Sequence, residues 1–154
     1  MFSMKTVYAL RALQFLAEKY ETGHVLISVI SENEKIPKKF LETILLTLKN
    51  EGLLTSKIGK GGGYILALPP SQIHLDAVVK ALEGDIALIS CADSENGSNK
   101  CEHCESYNTC GTRLVMTSLS QELAMSLKNK TVKDLLEEAR TARQQSSGSY
   151  DYMI

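Results

Sequence analysis

Three stretches of the 154-residue chain predict a mainly α fold with a small β wing: a winged helix-turn-helix domain followed by a long C-terminal dimerisation helix. The first is IPKKFLETILLTLKNEGLL, where Leu41, Ile44, Leu45 and Leu48 recur at i, i+3, i+4 and i+7 and define one buried helical stripe. The second is LLTSKIGKGGGYILAL, with strand-like segments on both sides of Gly59, Lys60, Gly61, Gly62 and Gly63, the pattern of a hairpin with a basic, flexible tip. The third is GTRLVMTSLSQELAMSLKNK, a long helix with Val115, Met116, Leu119, Leu123 and Leu127 on a broad apolar face.

The remaining elements fall in order around these three. MFSMKTVYALRALQFLAEKY reads as an amphipathic helix, and Lys5, Arg11 and the Glu18-Lys19 pair interrupt it too often for the apolar core of a signal peptide. After a turn at Glu21, Thr22 and Gly23, SVISENEK predicts a short helix with Ser28 as its N-cap. Pro37 suits the start of the next helix, and Gly52 its end. Two helices joined by a few residues, the second presenting Lys38, Lys39, Glu42, Thr43 and Lys49 away from the stripe, form a helix-turn-helix. Pro69 and Pro70 end the wing, and IHLDAVVKALEG adds a helix with Ala77, Val78, Ala81 and Leu82 apolar. A small winged domain has too little surface to cover the apolar face of the long helix, so that face is expected to pair with its twin in a homodimer. TVKDLLEEAR predicts a further short helix capped by Thr131, and QQSSGSYDYMI has the composition of a flexible tail.

Charge is distributed unevenly. Residues 35–60 carry six lysines against two glutamates, whereas residues 83–110 carry six acidic side chains against Lys100 alone. The basic end would attract a polyanion and the acidic end would repel it. A helix-turn-helix coinciding with Lys57 and Lys60 on a glycine wing, Gly61 and Gly62 included, points to double-stranded DNA. A nucleotide cradle fits poorly, because no Lys-Ser or Lys-Thr follows the glycines and the loop leads into a strand. No paired catalytic carboxylates or serine-histidine set suggests an enzyme. With no apolar run of bilayer length, a cytoplasmic chain without membrane contact is expected.

All four cysteines, Cys91, Cys101, Cys104 and Cys110, lie in the acidic stretch CADSENGSNKCEHCESYNTC. In a reducing compartment such a cluster more often binds metal or performs redox chemistry than forms structural disulfides.

Taken together, YALRAL at 8–13, FLETIL at 40–45, LKNEGLLTSKIGKGGGYILA at 48–67 and ALEGDIALISC at 81–91 resemble the iron-sulfur cluster regulators of the IscR and NsrR type, winged-helix transcription factors. The resemblance spans the chain to about residue 140. It implies a homodimeric regulator, a repressor in the first instance, on pseudo-palindromic operator DNA, with a recognition helix in the major groove and the wing in the minor groove. Lys39 and Glu42 would then face bases, and Glu42 could accept from cytosine N4 while repelling phosphate. Ile58 and Lys60 depart from the arginine and proline common in the family's wing. The resemblance further implies a 2Fe-2S or 4Fe-4S cluster held by Cys91, Cys104 and Cys110, sensing iron-sulfur, redox or nitric-oxide status. Cys101 is extra. Arg113 and Val7 stand where the family's fourth ligands can lie, so Cys101 is the natural substitute. Zinc is the rival metal, given the Cys-x-x-Cys pair, and a thiol-disulfide switch or bare thiols is a further reading; a small electron carrier is the remote one. His103 is expected to be an ordinary exposed loop residue. The resulting organisation is a DNA-binding domain over 1–83, a cluster-binding loop over 84–111, the dimerisation helix and a short helix over 112–140, and a tail over 141–154.

Overall fold

The structure, a computed structural model, describes residues 2–92 and 107–148. Six helices and one hairpin follow in order: α1 Met4–Glu18, α2 Ile27–Glu34, α3 Lys38–Asn50, β1 Leu54–Lys57, β2 Gly63–Leu66, α4 Leu75–Glu83, α5 Gly111–Lys128 and α6 Val132–Gly148. Short 3-10 turns lie at Tyr20–Thr22, Pro70–Gln72, Ser90–Ala92 and Tyr107–Thr109. This is the mainly helical architecture with a β wing that the sequence predicts. Among the described residues no helix is long and apolar enough to cross a membrane.

The predicted α3 stripe is the centre of the core. Leu41, Ile44, Leu45 and Leu48 are completely enclosed, packed with Ala9, Ala12 and Leu13 of α1, Ile30 of α2 and Val78 of α4. Gly52, with φ 73°, ends the helix in a double closure: its amide donates to the Lys49 carbonyl at 3.0 Å, and the Leu53 amide to the Leu48 carbonyl at 2.9 Å. A left-handed residue just beyond the last turn is where glycine carries no Cβ penalty.

The turn between α2 and α3 is equally determined. Lys35 adopts φ 53°, the amide of buried Ile36 bonds back to Ser31 at 3.1 Å, and the Ser31 hydroxyl donates to the Ile36 carbonyl at 2.6 Å. Pro37 sits at the N-cap of α3 rather than within its first turn; its carbonyl accepts from the amides of Phe40 and Leu41. The start of α2 corrects the sequence expectation. Leu26, not Ser28, occupies the N-cap, because Val25 is held in extended conformation by two 2.8 Å bonds with Tyr64, and the chain turns helical directly after it. Tertiary pairing here overrides the local capping preference of serine.

β1 and β2 pair antiparallel in the register Leu54 to Leu66 through Lys57 to Gly63, and the Val25 bridge adds a third edge to this small sheet. In α4, Leu75, Val78 and Val79 are the buried residues; Ala77 faces outward, and Ala81 and Leu82 are half-buried, a rotation of the face expected from the sequence. The helix turns to put its larger side chains against α1 and α3.

The C-terminal segment returns to the winged domain. The Leu75 amide donates to Lys130, the Val132 amide to Ile73 at 2.9 Å, and His74 Nδ1 lies 2.7 Å from the Lys128 carbonyl. Val132 and Leu136 enter the main core, and α6 packs on α1. Thr131 and Asp134 form the predicted cap reciprocally: the Thr131 amide and hydroxyl donate to the Asp134 carboxylate at 2.7 and 2.6 Å, and the Asp134 amide donates back at 3.3 Å. These bonds hold the Asp134 carboxyl below its ordinary range. α6 does not end near residue 140. It continues to Gly148, since no proline or glycine interrupts TARQQSS and Arg143 pairs with Glu18 of α1 at 3.1 Å.

A carboxylate joins the first and fourth helices. Glu83, on the last turn of α4, accepts from the Ser3 hydroxyl at 2.5 Å, the Ser3 amide at 2.9 Å and the Thr6 hydroxyl, capping the N-terminus of α1 from another element. These hydrogen bonds, the Ser3 hydroxyl first, lower the Glu83 pKa. A depressed folded-state pKa stabilises the fold above the ordinary glutamate range, and the contribution is lost as pH falls through the folded-state value. Glu83→Gln is therefore expected to melt below the wild type at neutral pH, with the gap closing as the solution is acidified below the glutamate range. Paired thermal melts across pH check this; a gap independent of pH would refute it.

Candidate nucleic-acid interface and cysteine sites

With the stripe of α3 turned inward, the opposite face is set by helical geometry. Lys38, Lys39, Glu42, Thr43 and Lys49 are all exposed, as the sequence predicts, and Leu46 joins them at 52% exposure. The Thr43 carbonyl accepts from the Thr47 hydroxyl at 3.0 Å, which turns Thr47 back along the helix. At the N-terminal end Phe40 meets Tyr8 of α1 edge-on, ring centroids 5.8 Å apart, bracing the part of α3 that carries Lys38 and Lys39.

The wing presents Lys57, Lys60 and Gly61 to solvent, but not Gly62. Gly62 is buried in the turn: its amide donates to Gly59 at 2.9 Å, and a Cβ there would run into the Lys57 carbonyl oxygen and lie 2.8 Å from that of Gly59. Gly62, expected from the sequence among the DNA-facing residues, has a structural part in the turn itself. Gly59 and Gly61 take φ 96° and 73°, conformations that other residues rarely adopt. Ile58, at the same tip, is 97% exposed. From Leu53 to Leu75 the chain has no acidic residue.

Of the four cysteines, the structure places two. Cys91 lies half-buried on the Ser90–Ala92 turn, which packs against α5, and half-buried Cys110 is the N-cap of α5. Cys101, Cys104 and His103 lie outside the described residues. Among the described residues no three cysteine, histidine or acidic side chains gather as a metal site. Arg113 is half-buried on the first turn of α5.

The apolar face of α5 divides in two. Val115 and Leu119 are exposed at 57% and 42%, whereas Met116, Leu123 and Leu127 are half-buried, Leu127 against the chain's own core. Between them Ser120 is buried; its hydroxyl donates to the Met116 carbonyl at 2.7 Å and accepts the Leu88 amide at 3.0 Å. Leu114 and Met125 on α5, Phe2, Met4 and Val7 at the start of the chain, and Leu88 are also exposed. Helical spacing marks an apolar face but cannot separate side chains that serve the intrachain core from those left outside it.

A family model described as an iron-dependent transcriptional regulator, Rrf2, matches residues 2–138. The chain belongs to the Rrf2 family. An rrf2-like HTH-type transcriptional regulator of Rhodobacter capsulatus is 30% identical over 139 residues, covering 88% of this chain and 92% of the relative. The solved structure of T. potens IscR superposes with a TM-score of 0.73 at 27% identity, covering 92% of this chain and 90% of IscR. CymR, titled the global cysteine regulator of B. subtilis, shares the fold with a TM-score of 0.71 at 24% identity, covering 90% of this chain and 97% of CymR. As an Rrf2 member this chain is a DNA-binding transcriptional regulator with a winged helix-turn-helix, and its relatives are regulators rather than enzymes.

The buried wing glycine yields a direct test. Gly62→Ala must displace the Lys57 or Gly59 carbonyl, so it is expected to loosen the wing while leaving the α-helical core intact. Hydrogen exchange should speed up at the β1 and β2 amides and stay unchanged in α1 and α3; unchanged wing protection would show that the turn accommodates a methyl group.

Proposed function

We propose that this Rrf2 regulator acts as a homodimeric repressor on a pseudo-palindromic operator, and that its cysteine stretch holds an iron-sulfur cluster whose state sets operator affinity. The observation that carries the DNA half is the shared basic character of two separate elements. The outward face of α3 and the wing both expose lysines, and one completely buried stripe fixes how α3 is turned. Lys38, Lys49, Lys57 and Lys60 neutralise phosphates, Lys39, Glu42 and Thr43 face bases, and Gly61 lets the wing approach the backbone closely.

The cluster half is supported by the donor set and its placement. Thiols are the ligands that iron-sulfur clusters take; Cys91 and Cys110 are both partly accessible, the Cys91 turn packs on α5, and Cys110 is the N-cap of that helix, where the dipole favours an anionic centre. Cys101 and Cys104 complete a four-thiol set within the same stretch. When bound, such a cluster supplies a redox-active, oxidant-labile centre. What the chain contributes is mechanical. Cys110 opens α5 and the Cys91 turn packs on it, so a constraint on both cysteines orders the start of α5; α5 rests on α4, and α4 on α3. The likeness to IscR favours iron-sulfur. The Cys-x-x-Cys pair supports the second reading, a structural zinc or thiol-redox site. For the dimer, Val115 and Leu119 are left exposed among the described residues, and two half-sites bound together gain by avidity.

Affinity for duplex DNA is expected to fall steeply as salt rises, and Lys60→Ala to reduce the slope of log affinity against log salt by about 1. Glu42→Ala should instead relax base discrimination by about 1 to 3 kcal/mol with the slope unchanged. Fluorescence anisotropy at several salt concentrations checks both, and a flat response would remove the DNA-binding reading of these residues.

Anaerobically purified protein should contain iron and acid-labile sulfide, and Cys101→Ala should lose them as fully as Cys91→Ala, Cys104→Ala or Cys110→Ala. Zinc without sulfide would install the second reading. Leu119→Glu is expected to sediment as a monomer and bind operator weakly; an intact dimer would place the interface elsewhere.

A further inference from the structure

We infer that Ile58 is an apolar wedge that the wing inserts between base pairs in the minor groove of duplex DNA. The inference rests on the DNA-binding reading above and deepens it. At 97% exposure Ile58 is the most exposed large apolar side chain among the described residues, and none of those residues covers it. Its surroundings are built to hold it there. β1 ends one residue earlier at Lys57, in register with Gly63, and the Gly62 amide closes the turn on Gly59. The base of the hairpin is locked further by the two Val25 to Tyr64 bonds. A β-branched side chain has few χ1 states to lose on insertion, so this is a stiff group on a firm platform.

The charge around it selects the occupant. Lys57 precedes Ile58, Lys60 follows two residues later, both are exposed, and no acidic residue occurs from Leu53 to Leu75. An apolar tip between two cations matches the minor groove, where phosphates flank base edges and an inserted isoleucine unstacks a step. A protein partner would offer apolar contact without demanding cations alone on both sides. Gly59 and Gly61 have no side chains to keep the loop away from the groove walls. Insertion is least costly at flexible pyrimidine-purine steps, so Ile58 would give the wing a sequence preference through deformability rather than through hydrogen bonds to bases.

The test uses the full-length protein and a duplex selected from a randomised pool by the wild type, carrying a fluorescent adenine analogue at successive steps along the site. Wild-type binding should raise the fluorescence at one step per half-site. Ile58→Ala should abolish that rise and bind about tenfold more weakly, with an unchanged salt slope and, because the side chain is solvent-exposed, an unchanged melting temperature. Lys57→Ala should instead reduce the slope. If the wild type binds no duplex in the selection, the DNA-binding reading fails and the wedge with it. Wild-type binding with Ile58→Ala equal in affinity and fluorescence overturns the wedge alone. A changed salt slope in Ile58→Ala also overturns it, since Ile58 would then be acting by positioning the lysines.

Discussion

The complete burial of Leu41, Ile44, Leu45 and Leu48 determines how α3 is rotated, and the face that α3 turns outward depends on that rotation. A helix has one azimuth at which these four side chains leave water together, and at that azimuth Lys39, Glu42, Thr43 and Leu46 have no choice but to face outward. Each buried leucine or isoleucine contributes on the order of 1.5 to 3 kcal/mol through burial, so a rotated helix would forfeit several such terms. The outward face of α3 is thus a by-product of the core. Phe40 against Tyr8 and the Ser31 to Ile36 bonds then fix the end of α3 nearest the turn, where Lys38 and Lys39 lie.

The wing solves a different problem. A two-stranded hairpin is marginal alone, and this one is held by Val25, which bonds to Tyr64 from the start of α2. The same bridge explains why α2 opens at Leu26 and why Gly63 lacks a side chain, for a Cβ there would collide with the Val25 backbone. The glycines of the wing therefore have separate duties. Gly63 admits the neighbouring strand and Gly62 fills the turn, whereas Gly59 and Gly61 supply left-handed backbone. Only the last two leave the tip thin.

Two connections tie elements distant in sequence into one body. Glu83 caps α1 from the end of α4, and the backbone bonds between residues 73–75 and 128–132 bring the chain back after α5. α6 then contributes Val132 and Leu136 to the core beneath α1. α5 is anchored near its C-terminal end through Leu127, while the Cys91 turn packs on it and Ser120, near its middle, accepts the Leu88 amide. The acidic character of residues 83–110 also keeps this part of the molecule from competing with the lysines for a polyanion.

Periodicity, turn residues and charge were enough to read the helix-turn-helix, the wing, the α3 stripe, the Gly52 closure and the Thr131 cap, because each is encoded within a few neighbouring residues. The regulator class was legible too, through the run from Leu48 to Ala67. What tertiary structure alone decided involves partners distant in sequence. Ser28 looked like a cap until the Val25 to Tyr64 pairing moved the helix start; α4 turned Val79 inward in place of Ala77; and α6 ran past residue 140 with Arg143 on Glu18. The division of the α5 face belongs here as well, since the same spacing serves Leu127 in the core and Leu119 outside it. Sequence determined which faces are apolar and which are charged, because those properties belong to the residues themselves. Which apolar face is covered by its own chain depends on the shape of the other elements, and only the assembled fold contains that shape.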